Sequence, residues 1–414
     1  MSTFTISRNK LLAALLRCKH VINSKMAIPP YTCYLFSFED GRLLVQGSDG
    51  DIFMKESLLV AEQENTENVS FALDKYYFLN AIKSLDEQPL RFEVMDYQVR
   101  VIHDCGTFWI PRDDAESILP DLIAKNNFEA WCKNCEPSVN GIIFEIPGIK
   151  HWVNIASDSM ADDYLRPAMN GVLLDFKSNN KLNVVASDGH QLTIIEKELE
   201  GAFDARLLIP RKVCNIISKC LPSTGMMELR FTEQNYKLIE TKSLNEERIQ
   251  KSVATFTVQM DEDDPDHILF VRFRNECMDS RYPNYASVIP EEFNHYMTCD
   301  RKKTLKSINR MLQFANLSGM LRFQIEEDKV SITCSDSDSE IGADEQIPCT
   351  FTGLLPKLGI AFRGSTYASI LKRITSENVR ISYVDSFAPC IFEPEPQPGV
   401  ENIRFLLMPM YGGD

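Results

Sequence analysis

No run in the chain approaches the roughly 18 consecutive apolar residues of a membrane-crossing helix. The opening Met1-Ser-Thr-Phe-Thr-Ile-Ser7 also lacks the basic-then-apolar layout of a signal peptide. A cytoplasmic protein with no membrane partner is expected. The 12 cysteines follow no disulfide-framework spacing, so in a reducing cytosol they read as thiols. Several (Cys18, Cys214, Cys220, Cys334) sit in apolar company. Glycine-rich phosphate loops, His-Glu-x-x-His helices and Gly-x-Ser-x-Gly elbows are all missing, which removes the common signatures of nucleotide, zinc-protease and serine-hydrolase chemistry. The six histidines are scattered, and His190 alone falls in a conspicuous motif. Cys132-Lys-Asn-Cys135 is a lone Cys-x-x-Cys in a polar stretch. A structural zinc site wants a second pair, and a thioredoxin-like site wants a helix start after a buried strand. No metal and no cofactor are expected.

What the chain does have is a repeated unit. Residues 182–196 read as two strands joined at Asp188-Gly189, the dipeptide suited to the positive φ of a tight hairpin. Leu43-Leu-Val-Gln-Gly-Ser-Asp-Gly-Asp-Ile-Phe53 has the same shape, and Val330-Ser-Ile-Thr-Cys-Ser-Asp-Ser-Asp338 repeats it. Ser48, Ser187 and Ser335 mark equivalent points, 139 and 148 residues apart. In a chain of 414 residues, three domain-sized copies mean one unit used three times. A hydrophobic fraction of 44% and a mean hydropathy of −0.20 suit an ordinary globular protein.

Helical periodicity marks residues 7–20, 74–85, 149–160, 210–221, 300–317 and 364–376, two segments per repeat. Ser7, Asp74, Asp300 and Ser365 can cap these helices, and Pro210 suits a first turn. Strands at 90–94, 227–231 and 379–383 follow the second helix of each pair, and most of the rest alternates as strands do. The expected fold is therefore α+β, two short helices laid on antiparallel sheet per repeat. The expected domains are residues 1–134, 135–293 and 294–414. Residues 125–137 form a polar interruption, 261–266 an acidic loop inserted in the second repeat, 290–293 a hinge, 340–346 another acidic loop and 393–399 a proline-rich one.

Net charge is −15, which argues against nucleic acid until it is divided. The six helical segments hold 17 basic and 3 acidic residues, a net +14, which leaves −29 on the remainder. Helices often gather lysine and arginine on a solvated face, but usually with comparable acid. Segregation instead suggests one helical layer facing a polyanion. At the other end of the chain, Met408-Pro409-Met410 closes a terminal strand. It reads either as core or as the flexible lining of an apolar groove. Asp188 and His190 could be an acid–base pair, or simply turn-forming groups.

Ala186-Ser-Asp-Gly-His-Gln-Leu192, Ile209-Pro-Arg-Lys212, Asp279-Ser-Arg-Tyr-Pro-Asn-Tyr285, Glu377-Asn-Val-Arg380 and Leu407-Met-Pro-Met410 fall in order across the second and third repeats. The first repeat adds its pattern and the run from Lys25 to Pro29. On these motifs the chain resembles the bacterial DNA polymerase III beta subunit family, the sliding clamps. The resemblance implies three clamp domains and a head-to-tail homodimer closing a six-domain ring. Twelve helices would line a hole for double-stranded DNA, with no catalysis. Expected partners are the replicative polymerase alpha subunit, a clamp loader, and other repair and replication proteins. The DNA-facing side chains would be Arg8, Lys10, Arg17, Lys25, Lys75, Lys83, Lys150, Arg211, Lys212, Lys219, Arg301, Lys302, Lys306 and Lys372. The dimer junction would hold Phe108, Met311 and Leu312. A partner-peptide pocket would be walled by Met169, Ser187, Gly189, His190, Gln191, Leu192, Pro283, Val288, Leu406, Met408, Pro409 and Met410. The chain departs from the family where Gln191 and Ser287 stand in place of arginine, and where it continues Tyr411-Gly-Gly-Asp414. Two other readings stand beside this one. One is an enzyme built on Cys132 and Cys135 or on His190, and the other is a scaffold that kept the repeat without the ring.

Overall fold

The computed structural model describes residues 1–22, 31–66, 69–113, 141–163, 165–200, 204–232, 252–275, 282–290, 293, 295–336, 338–353, 359–397 and 401–411. Lys25, residues 125–137 with Cys132 and Cys135, and residues 291–292 of the expected hinge lie outside them.

Six α-helices form where periodicity placed them: α1 (Arg8–Cys18), α2 (Lys75–Ser84), α3 (Ile149–Ser157), α4 (Arg211–Cys220), α5 (Arg301–Met311) and α6 (Gly364–Arg373). Side chains open three of them. Ser7 accepts from Lys10 N, Asp74 from Tyr76 N and Tyr77 N, and Asp300 from Lys303 N, each satisfying end amides that lack a helical partner. Ser365 does not cap. The helix starts one residue earlier at Gly364, whose N–H donates to the Gly319 carbonyl at 2.8 Å. A Cβ at Gly364 would meet Leu321 and Leu312 at 2.7–2.9 Å. Close packing, not a cap, sets that start. Pro210 ends a strand just ahead of α4 rather than entering its first turn.

The strands pair antiparallel throughout. A five-stranded sheet runs in the order Ala61–Glu64, Ser2–Ser7, Pro89–Val94, Gln98–His103, Gly106–Pro111. An eight-stranded sheet runs Gly141–Pro147, Met226–Thr232, Ser252–Gln259, Ile268–Asn275, Ile52–Leu59, Arg42–Ser48, Cys33–Glu39, Ser70–Asp74. A twelve-stranded sheet runs Ala205–Pro210, Gly171–Lys177, Lys181–Ser187, Gln191–Glu198, Ile403–Leu407, Cys390–Pro394, Asn378–Tyr383, His295–Asp300, Ile341–Thr352, Lys329–Asp336, Met320–Ile325, Ile360–Arg363. Helices lay apolar faces on these sheets, as with Leu11, Ala14, Leu15 and Cys18 of α1, or Ile308 and Met311 of α5.

The chain packs as two compact units, residues 1–151 with 215–278 and residues 152–214 with 279–414. The border runs through the second repeat. The pairing explains why: the second repeat's strand Ile268–Asn275 bonds to Ile52–Leu59 of the first, and its strand Gln191–Glu198 bonds to Ile403–Leu407 of the third. Each half-sheet is continued by a neighbour.

One loop expectation holds and one is corrected. Residues 261–266 are the expected acidic loop, closing the hairpin between Ser252–Gln259 and Ile268–Asn275. The turn is tied down: Asp264 pairs with Arg42 at 2.7 Å, and Ser57 Oγ donates to the Asp266 carbonyl. Residues 341–346 are strand rather than loop. They bond to residues 331–336, so backbone pairing overrides their acidic composition.

Candidate interaction sites

The hairpin turn at residues 187–192 is shaped by its own side chains. Ser187 Oγ accepts from Gly189 N at 3.1 Å and donates to the Gln191 carbonyl at 2.8 Å. Asp188 Oδ1 accepts from His190 N and Gln191 N, both at 2.8 Å. Asp188 is thereby committed to the turn rather than to an acid–base pair. Gly189 has φ +90°, and a Cβ there would stand 3.0 Å from the Arg166 guanidinium, so the position demands glycine. The first repeat reproduces the network atom for atom: Ser48 Oγ binds Gly50 N and Ile52 O, and Asp49 Oδ1 binds Asp51 N and Ile52 N. In the third repeat the turn is displaced by one residue. Asp336 pairs with Ile341, as Ser48 pairs with Phe53 and Ser187 with Leu192. Asp336, not Ser335, is therefore the equivalent point.

Beside the second turn lies a groove of about 490 Å³ within the second unit. Ten expected wall residues line it: Met169, Ser187, Gly189, His190, Gln191, Leu192, Pro283, Val288, Leu406 and Met408. Pro409 and Met410 do not. Met408 N donates to the His190 carbonyl at 2.9 Å, and the chain then crosses away so that Met410 N donates to the Ala361 carbonyl at 2.7 Å. Pro409 is buried on that path.

Seven further lining residues escaped the sequence reading: Leu165, Arg166, Pro167, Ala168, Tyr282, Asn284 and Tyr285. The 3-10 turns Pro167–Met169 and Tyr285–Val288 carry some of them, and turns this short leave no periodic signal. Tyr285 is anchored from behind. Its hydroxyl donates to buried Asp175 at 2.5 Å and accepts from Asn183 at 3.1 Å. Burial, then the Asp175 carboxylate, pushes this hydroxyl up to about 12. Asp175 is balanced by Lys177 at 2.9 Å and Arg206 at 3.1 Å.

Gln191, where the family resemblance leads one to expect arginine, is fully occupied. Its Nε2 donates to the Asp158 carbonyl at 3.1 Å and to Asp188 Oδ2 at 3.0 Å. Behind it, Arg373 donates to the Ile155 carbonyl, Ser159 Oγ and Thr193 Oγ1 at 2.9–3.2 Å and lies over the Phe405 ring. Burial lowers this guanidinium to about 10, against the opposing pull of Asp158. Ser287 is exposed in its turn, its hydroxyl donating to the Asn284 carbonyl.

The basic helices divide into two groups. Residues that open helices reach for the carbonyl ends of other helices. Arg8 donates to Ile82 O and Lys83 O, and Lys75 to Lys19 O and Ile22 O. Lys150 donates to Leu221 O, and Arg211 to Met160 O and Ala161 O. Arg301 donates to Leu371 O and Ser376 O. Cations there satisfy end carbonyls and oppose the negative pole of the helix dipole. Arg17 is bidentate to buried Glu56. Lys10, Lys83, Lys219, Lys302, Lys306 and Lys372 instead stand exposed, and Lys212 is half-buried.

At the expected junction, Phe108 is half-buried on Gly106–Pro111, an edge strand of the five-stranded sheet. Met311 is a correction: it is fully buried, because Thr304, Ser307, Ile308 and Met311 form the inward face of α5. Leu312 is half-buried against Gly364. Exposed apolar residues include Phe314 and Leu317, past the helix end, and Tyr76, Tyr77 and Trp109 on the other unit.

Three family descriptions match the chain in succession: the N-terminal, central and C-terminal domains of the DNA polymerase III beta subunit, over residues 2–118, 145–251 and 286–411. The beta sliding clamp of Haemophilus influenzae is 23% identical over 412 residues, covering 98% of this chain and 99% of that one. The beta sliding clamp of Streptococcus pneumoniae serotype 4 is 23% identical over 425 residues, covering 99% of each. Among solved structures, the sliding clamp from Pseudomonas aeruginosa bound to griselimycin superposes with a TM-score of 0.80 at 18% identity, covering 99% of each chain. The beta subunit of Thermotoga maritima gives 0.78 at 19% identity, covering 100% of each. With three domains matched in order along nearly its whole length, the chain belongs to the DNA polymerase III beta subunit family and is built of three clamp domains.

Proposed function

We propose that this chain works as a DNA sliding clamp in the cytoplasm. In this reading two copies join head to tail into a six-domain ring around duplex DNA. The ring catalyses nothing and tethers a replicative polymerase, a clamp loader and other replication and repair proteins. Domain limits at residues 1–134, 135–293 and 294–414 belong to the same proposal. The observation that carries it is the groove: four segments, spread between residues 165 and 408, converge on one apolar trough in a chain of this family. Apolar troughs of this size commonly mark binding sites. Burying two large side chains of a partner peptide there is worth about 3–6 kcal/mol before ordering costs. Net affinity should fall near ~1 μM, which suits partners that must exchange.

Duplex contact is assigned to Lys10, Lys83, Lys219, Lys302, Lys306 and Lys372, whose long exposed side chains reach phosphates without reading bases. Binding by free protein should be weak and steeply salt-dependent, while a closed ring is held by topology. The junction is assigned to two open strand edges. One is Gly106–Pro111. The other is the 341–348 half of Ile341–Thr352, whose outer side has no strand partner among the described residues, because His295–Asp300 pairs with residues 349–352.

The test is titration of a fluorescent Gln-x-x-Leu-Phe peptide against the intact chain and one truncated from Met408 onward. Truncation should abolish binding and processive synthesis while the protein stays folded and dimeric. Unchanged peptide affinity would overturn the groove.

A further inference from the structure

Carboxylates stand on the loop and turn that flank the groove, outside its lining. Among the described residues, Asp158, Asp162, Asp163 and Asp188 are exposed or half-exposed on the loop and turn that frame it, and Asp385 is exposed nearby. Arg166 is the rim guanidinium, and it stands 3.8 Å from Asp163. Gln191 adds no charge, and its amide is spent on Asp158, Asp188 and Ser159. Arg373 is turned inward. Among the described residues, an acidic peptide flank meets Arg166 as the lining guanidinium, and Asp163 already stands beside it.

A second feature lies at the same end of the sheet as the trough, outside its lining. Past Met408, the ring of Tyr411 stacks on Phe387, with centroids 5.9 Å apart and planes 10° apart. Both rings are exposed, at 73% and 53%. Strand register places them at the groove's end of the sheet: Gln191 and Cys390 both pair with Leu407, and Met408 N bonds to the His190 carbonyl. The loop bearing Phe387 is turned by Asp385, whose Oδ1 accepts from Phe387 N and Ala388 N, both at 2.7 Å. An exposed aromatic face beside a carboxylate is chemistry for a cation.

We propose that the groove selects partner peptides whose apolar core is flanked by lysine or arginine, with the cation seated over the Phe387–Tyr411 rings and the acidic rim disfavouring acidic flanks. The inference rests on the groove being the partner site. Because the rings lie at the groove's end of the sheet and not among its lining residues, selectivity and core binding are separable.

The experiment is fluorescence anisotropy with full-length protein and three peptides sharing one apolar core, flanked by two lysines, two serines or two glutamates. At low salt the lysine peptide should bind at least about fivefold more tightly than the glutamate peptide, the scale of an exposed cation–π contact with added charge attraction. The ratio should shrink as salt rises. Phe387→Ala and Tyr411→Ala should each lower the lysine preference and leave the serine peptide unchanged. Equal affinity for lysine and glutamate flanks would overturn the proposal, as would a preference untouched by both substitutions. Failure of all three peptides to bind would overturn the groove reading beneath it.

Discussion

At the residue scale the sharpest case is Glu56, fully buried and held from two sides. Arg17 grips it with two bonds at 2.5 and 2.8 Å, and His267 Nε2 lies 2.8 Å away. Burial alone would raise this carboxyl. Hydrogen bonds from His267 and Arg17, with their charge, outweigh burial and hold it below its ordinary value. A depressed folded-state value gives stability that is present above the unfolded value near ~4.3 and lost as pH falls through the folded one. Glu56→Gln strands the Arg17 guanidinium and should cost about 3–4 kcal/mol in a denaturant melt at neutral pH. Its stability should also fall less than wild type's below pH ~4.5, since the variant has nothing to protonate there. A second prediction concerns thiols. Cys105 is the exposed one among nine described cysteines. Burial pushes Cys214 and Cys299 up to about 12 and Cys220 to about 11. Among the described thiols, a reagent on native protein should therefore label Cys105 first, so that Cys105→Ser lowers the fast-phase amplitude by one equivalent, with the buried thiols appearing only in urea. The buried thiols Cys18, Cys214 and Cys220 were legible as small hydrophobes. Glu56 was not, because nothing in its strand hints at partners 39 and 211 residues away.

At the element scale, helices were legible wherever an amphipathic face coincided with a capping side chain, as at Ser7, Asp74 and Asp300. The helix from Arg301 was read six residues too long. Leu312, Phe314 and Leu317 continue the apolar spacing, and no glycine intervenes before Gly319. Periodicity cannot tell an apolar residue that packs from one presented to solvent. The same limit hid the two kinds of basic helical residue, since charge counting treats Arg301 and Lys302 alike. The structure separates them, and substitution should too. Arg301→Ala leaves the Leu371 and Ser376 carbonyls without their donor and should lower stability by about 1–2 kcal/mol in urea unfolding. Lys302→Ala, at an exposed position, should stay within about 0.5 kcal/mol of wild type. On duplex DNA the order reverses: Lys302→Ala should flatten the salt dependence by close to ~1 in log–log slope. A larger stability loss from Lys302→Ala than from Arg301→Ala would reject the division.

At the scale of the whole molecule, the threefold repeat and the segregation of charge were legible because they are properties of long stretches. The groove was legible only in part. Its hairpin and terminal strand carry conspicuous motifs, whereas Leu165, Arg166 and Pro167 enter it through tertiary convergence that no local pattern encodes. The proposed junction between copies shows the same split. Phe108 lies on an open edge as expected, but burial removes Met311 from any surface and Leu312 packs on Gly364. Leu312→Asp would therefore place a charge against the core and lower stability before it reported on assembly. The surface test belongs to Leu317 and Trp109, which are exposed on different units. An exposed aromatic on an open strand edge and a leucine just past a helix end are the kind of apolar residues a symmetric junction buries. Leu317→Asp and Trp109→Asp should each move the protein toward monomer in light scattering at low micromolar concentration. Their urea midpoints, taken where wild type is also dissociated, should match wild type. Because a monomer cannot close on DNA, each variant should also lose the retention on closed circular duplex that wild type shows after loading, while linear duplex releases both alike. If both variants keep the dimer mass, the junction lies elsewhere. If a dimeric variant leaves circles as fast as linear duplex, the ring itself is refuted.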